Sequence, residues 1–169
     1  MREIRWHARA GQGAKTASEL LALALLRSGK SVQSFPEYGP ERRGSPMRAY
    51  TRVDDRPIRR HDAVTEPDVA VVLDPALARA ATEGLAPDGV VLVNTASAPP
   101  GLDGRRVGAV PEASGGPRFA NLVMVGAVAA ELGEPTLEQA QDSAVEVLGA
   151  KAGAAAVRAA VEEGYRCLS

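Results

Sequence analysis

Two short runs of β-branched and aliphatic residues constrain the fold more than any other feature of this chain. Residues 69–74 (VAVVLD) and 90–94 (VVLVN) are apolar without the alternation of a half-exposed strand. Strands of this composition are buried on both faces, as in parallel sheets that are covered by helices. Strand-like and helix-like segments alternate along the rest of the chain without repeats, so we predict an α/β fold.

The remaining elements follow from hydrophobic periodicity and from turn residues. Further strands are predicted over residues 3–6, 31–35, 47–53 and 106–110, and helices over residues 14–27, 75–85, 119–132, 137–148 and 152–163. The chain has 169 residues, of which 45% are hydrophobic. This size suits one domain with one core, so residues 1–169 are predicted to form a single domain.

A glycine-containing turn is predicted between the first strand and the first helix, within residues 7–16 (HARAGQGAKT). Such a turn directs free backbone N–H groups and the positive end of a helix dipole towards one point, where an anion can bind. Gly11, Gln12, Gly13 and Thr16 are therefore candidate binding residues. The alternative is a tight connection that binds nothing. The spacing of a nucleotide-hydrolysing P-loop is absent.

A second candidate segment spans residues 34–46 (SFPEYGPERRGSP). Its prolines and glycines favour a shaped loop rather than a buried strand. Arg42, Arg43 and Gly44 are the candidate binding residues, since arginine can clamp a phosphate or a partner carboxylate in a bidentate manner. The alternative is that both arginines are solvated or pair with acidic residues of the same loop.

Charge is distributed unevenly along the sequence. Residues 1–61 contain thirteen Lys or Arg and six Asp or Glu, a net charge of +7, whereas the whole chain carries −1, so the remainder carries −8. The positive field surrounds both candidate loops and favours a polyanionic ligand or an acidic partner. Nucleic acid is disfavoured, because there are only six aromatic residues and no basic stripe interleaved with them.

Other functional classes are disfavoured by composition. The only cysteine is Cys167, so this chain alone forms no internal disulfide and no four-thiolate cluster, and no metal site is predicted. No catalytic triad is recognisable around His7 or His61, which are interpreted as structural. Asp74 and Asn94 close two strands and are interpreted mainly as caps. There is no apolar span of membrane length, so a soluble, cytoplasmic protein with no membrane association is expected.

The two loop segments resemble the gamma subunit of the 2-oxoacid:ferredoxin oxidoreductases. Residues 34–46 match the family pattern closely, with Ser45 in place of an alanine, and residues 7–13 match it except that Ala8 and Ala10 replace glycines. Residues 48–52, 57–59, 67–74, 121–127 and 164–165 also resemble family segments. The resemblance therefore spans nearly the whole chain. The two extra methyl groups at positions 8 and 10 raise the question of whether coenzyme binding is altered.

The resemblance implies a three-layer α/β/α fold with a mixed, mainly parallel, Rossmann-like sheet. It implies a complex that oxidatively decarboxylates a 2-oxoacid such as pyruvate to an acyl-CoA. Thiamine diphosphate, magnesium and iron–sulfur clusters would lie on alpha, beta and delta subunits, with ferredoxin as the electron acceptor. The gamma chain would bind coenzyme A and cover the active site, and no catalytic residue is assigned to it.

Taken alone, such a chain is expected to be inactive. Two other interpretations stay open: a docking subunit that binds no coenzyme, and a free-standing nucleotide-binding protein of Rossmann type. NAD is disfavoured for the latter, because no acidic residue stands near the end of the second predicted strand before Glu37.

Overall fold

The computed structural model describes residues 1–37, 44–102, 106–111 and 114–168. The strands are β1 (Arg2–Arg9), β2 (Ser31–Glu37), β3 (Pro46–Asp54), β4 (Val69–Val72), β5 (Val90–Asn94) and β6 (Arg106–Val110). The α-helices are α1 (Ala14–Arg27), α2 (Ala78–Ala81), α3 (Ala120–Leu132), α4 (Leu137–Ala152) and α5 (Ala154–Leu168). Short 3-10 turns at Pro75–Leu77 and Pro117–Phe119 lead into α2 and α3.

The strands form one sheet in the order β2-β3-β1-β4-β5-β6. Strands β1, β4, β5 and β6 run parallel, whereas β3 is antiparallel to both of its neighbours, β1 and β2. The predicted mixed, mainly parallel α/β sheet is confirmed. The carboxyl ends of β1, β4 and β5 therefore meet at one edge, to which ligands of open α/β folds usually bind.

Four of the helices cover one face of the sheet, which we call the helical face. Helix α1 lies over β1, β2 and β3, α3 lies over β4, β5 and β6, and α4 and α5 pack against these two helices. Ile4, Trp6 and Leu92 are fully buried in this core. Of the helices in the described residues, α2 alone lies on the other face, where it packs on apolar side chains of β4 and β5.

On β1, β2 and β3 this other face is polar, and we call it the charged face. The register aligns its side chains in three cross-strand rows, Gln33–Arg52–Glu3, Phe35–Tyr50–Arg5 and Glu37–Arg48–His7. Several are buried although they are charged or titratable: Arg52 is 1% exposed, His7 3% and Arg5 5%. Burial of a charged side chain is unfavourable unless it is paired and hydrogen-bonded, so the partners of these side chains are described below.

Helices α3 and α5 cross in close contact because each has a glycine at the crossing. A Cβ atom added at Gly126 would lie 1.9 Å from the carbonyl oxygen of Val161, and one added at Gly164 would lie 1.8 Å from that of Val123. No side chain fits at either position. This contact explains why glycine stands in the two late segments, 121–127 and 164–165, that the sequence analysis singled out.

Helix α4 begins at the predicted residue, Leu137, directly after Thr136, which forms a capping box with Gln139. The predicted helix over residues 75–85 is wrong in its extent, because α2 ends at Ala81. Arg5 donates hydrogen bonds to the carbonyl oxygens of Ala81 and Glu83, which removes them from helical pairing. Gly84 then turns the chain with φ of +66°.

Phe35 lies half-buried on the charged face, beside Tyr50. The alternation of β2 places it opposite Val32, which packs against the helical core. None of the helices in the described ranges combines the length and the apolarity needed to cross a bilayer.

Candidate functional site

The turn between β1 and α1 lies at the carboxyl edge of the parallel strands. Gly11 and Gly13 have φ of +99° and +84°, which glycine adopts without strain. Gly13 is the N-cap residue of α1, no side chain of the described residues caps this helix end, and no acidic residue lies in the first turn. Within that part of the chain, the first backbone N–H groups, next to Lys15 and Thr16, therefore lack side-chain acceptors and can receive an anion.

Gln12 and Gly13 have structural roles in this turn as well. Gln12 Oε1 accepts a hydrogen bond from the Arg9 backbone N–H (2.7 Å), and the Gln12 N–H donates to Arg9 O (3.0 Å). A Cβ added at Gly13 would lie 2.8 Å from Asn121 Nδ2, whereas one added at Gly11 meets no described atom within 4 Å. A substitution at Gly13 would consequently disturb the fold together with any ligand.

Arg9 connects the glycine turn with the second candidate segment and with β4. Its Nη1 donates to the carbonyl oxygen of Gly44 (3.2 Å), and its Nε lies 2.5 Å from Asp74 Oδ2. The Ala10 N–H also donates to Ser45 O (2.9 Å). Three loops that are far apart in the sequence therefore meet at this edge of the sheet, and we call this contact the Arg9 junction.

The sequence analysis missed Arg9, although a cation directly between a strand and a glycine turn is a usable signal. The predicted capping role of Asp74 is confirmed, since its Oδ1 accepts a hydrogen bond from the Ala76 N–H (3.0 Å).

Arg42 and Arg43 lie outside the described residues, so their role stays a prediction. Of the predicted binding residues, the structure brings Gly11, Gln12, Gly13, Thr16 and Gly44 into one region.

Two asparagines, both more than nine-tenths buried, lie at or near the same edge. Asn121, at the start of α3, occupies the space that a Cβ added at Gly13 would enter. Asn94, at the end of β5, donates a long hydrogen bond to Leu73 O (3.5 Å). Its Oδ1 is buried and has no hydrogen-bond partner among the described residues. A buried acceptor without a donor is uncommon, so Asn94 is an unusual feature of this edge of the sheet.

The alanine at position 8, which replaces a family glycine, does not lie at the binding edge. Ala8 is fully buried and belongs to the core of the helical face. All positive φ values in the described residues belong to glycines, so neither Ala8 nor Ala10 is strained. The methyl group of Ala8 therefore fills the core.

His7 is the buried titratable group of the charged face. Its Nε2 accepts a hydrogen bond from Arg5 Nε (2.9 Å), so the neutral ring carries its proton on Nδ1. Burial, and then the positive charges of Arg5 and Arg48, lower the pKa of His7 to about 3. The interpretation of His7 as a structural residue agrees with these contacts. Burial and the nearby Glu37 carboxylate raise the pKa of Tyr50, in the adjacent row, to about 12.

The depressed pKa of His7 predicts a specific loss of stability in acid. A histidine in an unfolded chain titrates near 6.5. The contribution of neutral, buried His7 to the free energy of unfolding is therefore full above that pH, and it is lost as the pH falls towards the folded pKa of about 3. Between pH 7.5 and pH 5 we expect His7 to reduce the free energy of unfolding by about 1–2 kcal/mol. Urea unfolding at both pH values should show a smaller loss for His7→Gln. The exposed His61→Gln is the control and should behave like the parent; equal losses in all three proteins would contradict the prediction.

Among residues 1–37, 44–102, 106–111 and 114–168, no group of three or more His, Cys, Asp or Glu side chains is arranged to hold a metal ion. The described part of the site therefore consists of the glycine turn, the Arg9 junction and buried amide groups.

A family model, sequence relatives and solved structures all relate this chain to the same group of proteins. Over 94 residues the chain is 61% identical to the pyruvate synthase subunit PorC of Thermotoga maritima; this alignment covers 55% of the chain and 49%, about half, of that relative. The crystal structure of the pyruvate oxidoreductase subunit PORC of Thermotoga maritima superposes with a TM-score of 0.82 at 37% identity, covering 98% of this chain and 95% of that one.

The 2-oxoglutarate:ferredoxin oxidoreductase of Magnetococcus marinus, solved with 2-oxoglutarate, coenzyme A and succinyl-CoA bound, shares the fold with a TM-score of 0.84. Identity there is 17%, and the match covers 99% of this chain and 31% of the larger one. The model of the pyruvate ferredoxin/flavodoxin oxidoreductase family matches residues 3–167. The chain belongs to the pyruvate ferredoxin/flavodoxin oxidoreductase family.

Proposed function

We propose that this chain is the gamma subunit of a 2-oxoacid:ferredoxin oxidoreductase and that, as a single domain, it binds coenzyme A at the carboxyl edge of its sheet. Pyruvate or a related 2-oxoacid is the substrate of the complex. Thiamine diphosphate, magnesium and the iron–sulfur clusters are held by alpha-, beta- and delta-type subunits, and ferredoxin takes the electrons. The chain contributes no catalytic residue and is inactive alone. Family membership and the similarity to PorC proteins support this assignment.

The uncapped N-terminus of α1 is the observation that carries the coenzyme part of the proposal. Coenzyme A is a polyanion with several phosphate oxygens, each of which needs a hydrogen-bond donor when it leaves water. The free N–H groups of the first turn, the ammonium group of Lys15 and the hydroxyl of Thr16 are such donors, and no acidic residue lies in that turn to repel a phosphate. The residues present therefore fit the group.

The Arg9 junction gives the second segment its place in this proposal. Because Arg9 holds Gly44 O, the segment that carries Arg42 and Arg43 ends beside the glycine turn. Both segments can then contribute to one ligand: the turn through backbone donors, and the arginines through bidentate contacts to phosphate. Arg9 itself pairs with Asp74, so it acts as a positioning residue rather than as a further phosphate ligand.

Two substitutions test the coenzyme site without the folding problem of Gly13. In the assembled complex, Lys15→Gln and Thr16→Ala should each weaken coenzyme A binding, by about tenfold for the loss of one charge-assisted hydrogen bond. Calorimetric titration of coenzyme A into the complex measures the dissociation constant. Lys151→Gln, which removes an exposed lysine near the end of α4, is the matched control and should leave it unchanged.

The outcomes separate the proposal from its rivals. Unchanged affinity in both variants would show that the turn is only a tight connection and that the phosphates bind elsewhere. If no substitution in the gamma chain changes the affinity of the complex for coenzyme A, the result would instead support the interpretation of this chain as a docking subunit that binds no coenzyme.

A further inference from the structure

The charged face of the sheet contains a cavity that the proposed coenzyme site does not use. Its volume is about 490 Å³, and its lining includes Arg5, Phe35, Arg48, Tyr50 and Val64. A smaller cavity of about 260 Å³, which His7 lines, shares Glu37 and Arg48 with it. Volumes of this order are typical of small-molecule sites, which combine apolar walls with a few polar groups.

Among the described residues, the lining of this cavity includes two cationic side chains, Arg5 and Arg48, and one carboxylate, Glu37. Arg5 is 5% exposed, and its guanidinium group donates to His7 Nε2 and to the carbonyl oxygens of Ala81 and Glu83, all of which are uncharged. Within the described ranges, no carboxylate forms an ion pair with Arg5. Burial of a cation without a counter-ion is unfavourable, so an anion that enters the cavity would be stabilised.

The second arginine of the cavity is available to an incoming ligand. Arg48 is 41% exposed, and its one ion pair among the described residues joins Nη1 to Glu37 Oε2 at 3.9 Å, too far for a hydrogen bond. Glu37 meanwhile accepts a hydrogen bond from the Tyr50 hydroxyl. The Arg48 guanidinium can therefore bind a carboxylate in the bidentate geometry that arginine favours.

The remaining lining narrows the chemistry of the ligand. Phe35, Ala63 and Val64 form an apolar wall, which suits a short hydrocarbon tail. The carboxylate of Glu37 lies on the same cavity and repels a second negative charge. We propose that the cavity formed by Arg5, Arg48, Phe35 and Val64 on the charged face binds a small organic monocarboxylate with an apolar tail, at a site separate from the coenzyme turn.

Isobutyrate is the probe for this site, since it joins one carboxylate to a branched apolar tail. Titration into the full chain, followed by amide chemical shifts in NMR spectra, should perturb Phe35, Tyr50 and Val64 with a dissociation constant on the order of 1 mM. Isobutyramide keeps the tail without the charge, and inorganic phosphate keeps negative charge without the tail. Both should bind at least about tenfold more weakly.

Variants with opposite expected effects complete the test. Arg48→Gln should weaken isobutyrate binding about tenfold, because a charge-assisted pair is lost, whereas Arg56→Gln, at a side chain that is 89% exposed, should have no effect. Glu37→Gln should tighten isobutyrate binding and admit phosphate, a gain that misfolding could not produce.

Three results would overturn the proposal. They are the absence of localised shifts up to about 20 mM isobutyrate, equal affinity for isobutyrate and isobutyramide, and shifts confined to residues 11–16. The last result would place the anion at the glycine turn and would leave the coenzyme proposal intact.

Discussion

Replacement of Gly164 by alanine should destabilise the protein by about 3 kcal/mol or more, the upper part of the range for overpacked cores. The added Cβ would lie 1.8 Å from Val123 O and 3.0 Å from the Ala127 nitrogen, and both are backbone atoms of α3. Backbone atoms cannot move aside by a rotamer change, so the two helices would have to separate. Urea unfolding, monitored by circular dichroism, measures the change.

Gly149→Ala is the matched control within α4. An added Cβ there would come no closer than 3.0 Å to Val145 Cγ1, the end of a side chain that can shift. Alanine is favoured over glycine in a helix by about 1 kcal/mol, so this variant should be neutral or more stable than the parent. The two Gly→Ala substitutions should thus have opposite signs. A Gly164→Ala variant as stable as the parent would show that α3 and α5 do not cross at these glycines.

Arg52→Met should have a comparable effect for an electrostatic reason. Arg52 is 1% exposed; its Nε donates to Glu3 Oε1 (2.7 Å) and its Nη2 to Asp62 O (2.7 Å). Methionine fills similar space but leaves the Glu3 carboxylate, 11% exposed, without its partner. Breaking one side of a buried ion pair costs about 3–5 kcal/mol, which urea unfolding should reveal.

A second arginine and a double variant separate charge from packing. Arg60 pairs with Asp62 as well, but at the surface, so Arg60→Met should give no measurable change in stability. The double variant Arg52→Met with Glu3→Leu removes both charges and should be less destabilised than Arg52→Met alone. If the double variant is worse than the single one, the pair contributes by packing rather than by charge, contrary to this explanation.

Much of the fold could be predicted because the hydrophobic periodicity and composition that define a helix or strand lie within a short stretch of sequence. The buried runs at residues 69–74 and 90–94 predict β4 and β5, and α1 has the predicted bounds. The extent of α2 could not be predicted, because it depends on Arg5, a residue more than seventy positions away that takes the carbonyl oxygens of Ala81 and Glu83. Local propensity does not contain such a contact.

The candidate site shows the same division. The glycine turn was predicted from the order of strand, glycines and helix. The Arg9 junction was not, since it requires the sheet order that places Gly44 and Asp74 beside one another. The charged face was missed for a related reason: residues 3, 5 and 7 of β1 look like an ordinary exposed alternation until their burial is known.

The strand order also has a consequence for the growing chain during synthesis. Strands β1, β2 and β3, together with α1, come from the first 54 residues and can assemble first, and β4, β5 and β6 then add one after another at the β1 side. The helical face of these last strands is covered by α3, which α5 in turn holds, and α5 ends at Leu168. Half of the sheet therefore keeps an uncovered apolar face until α3 and α5 have been synthesised, and such exposed apolar surface favours aggregation.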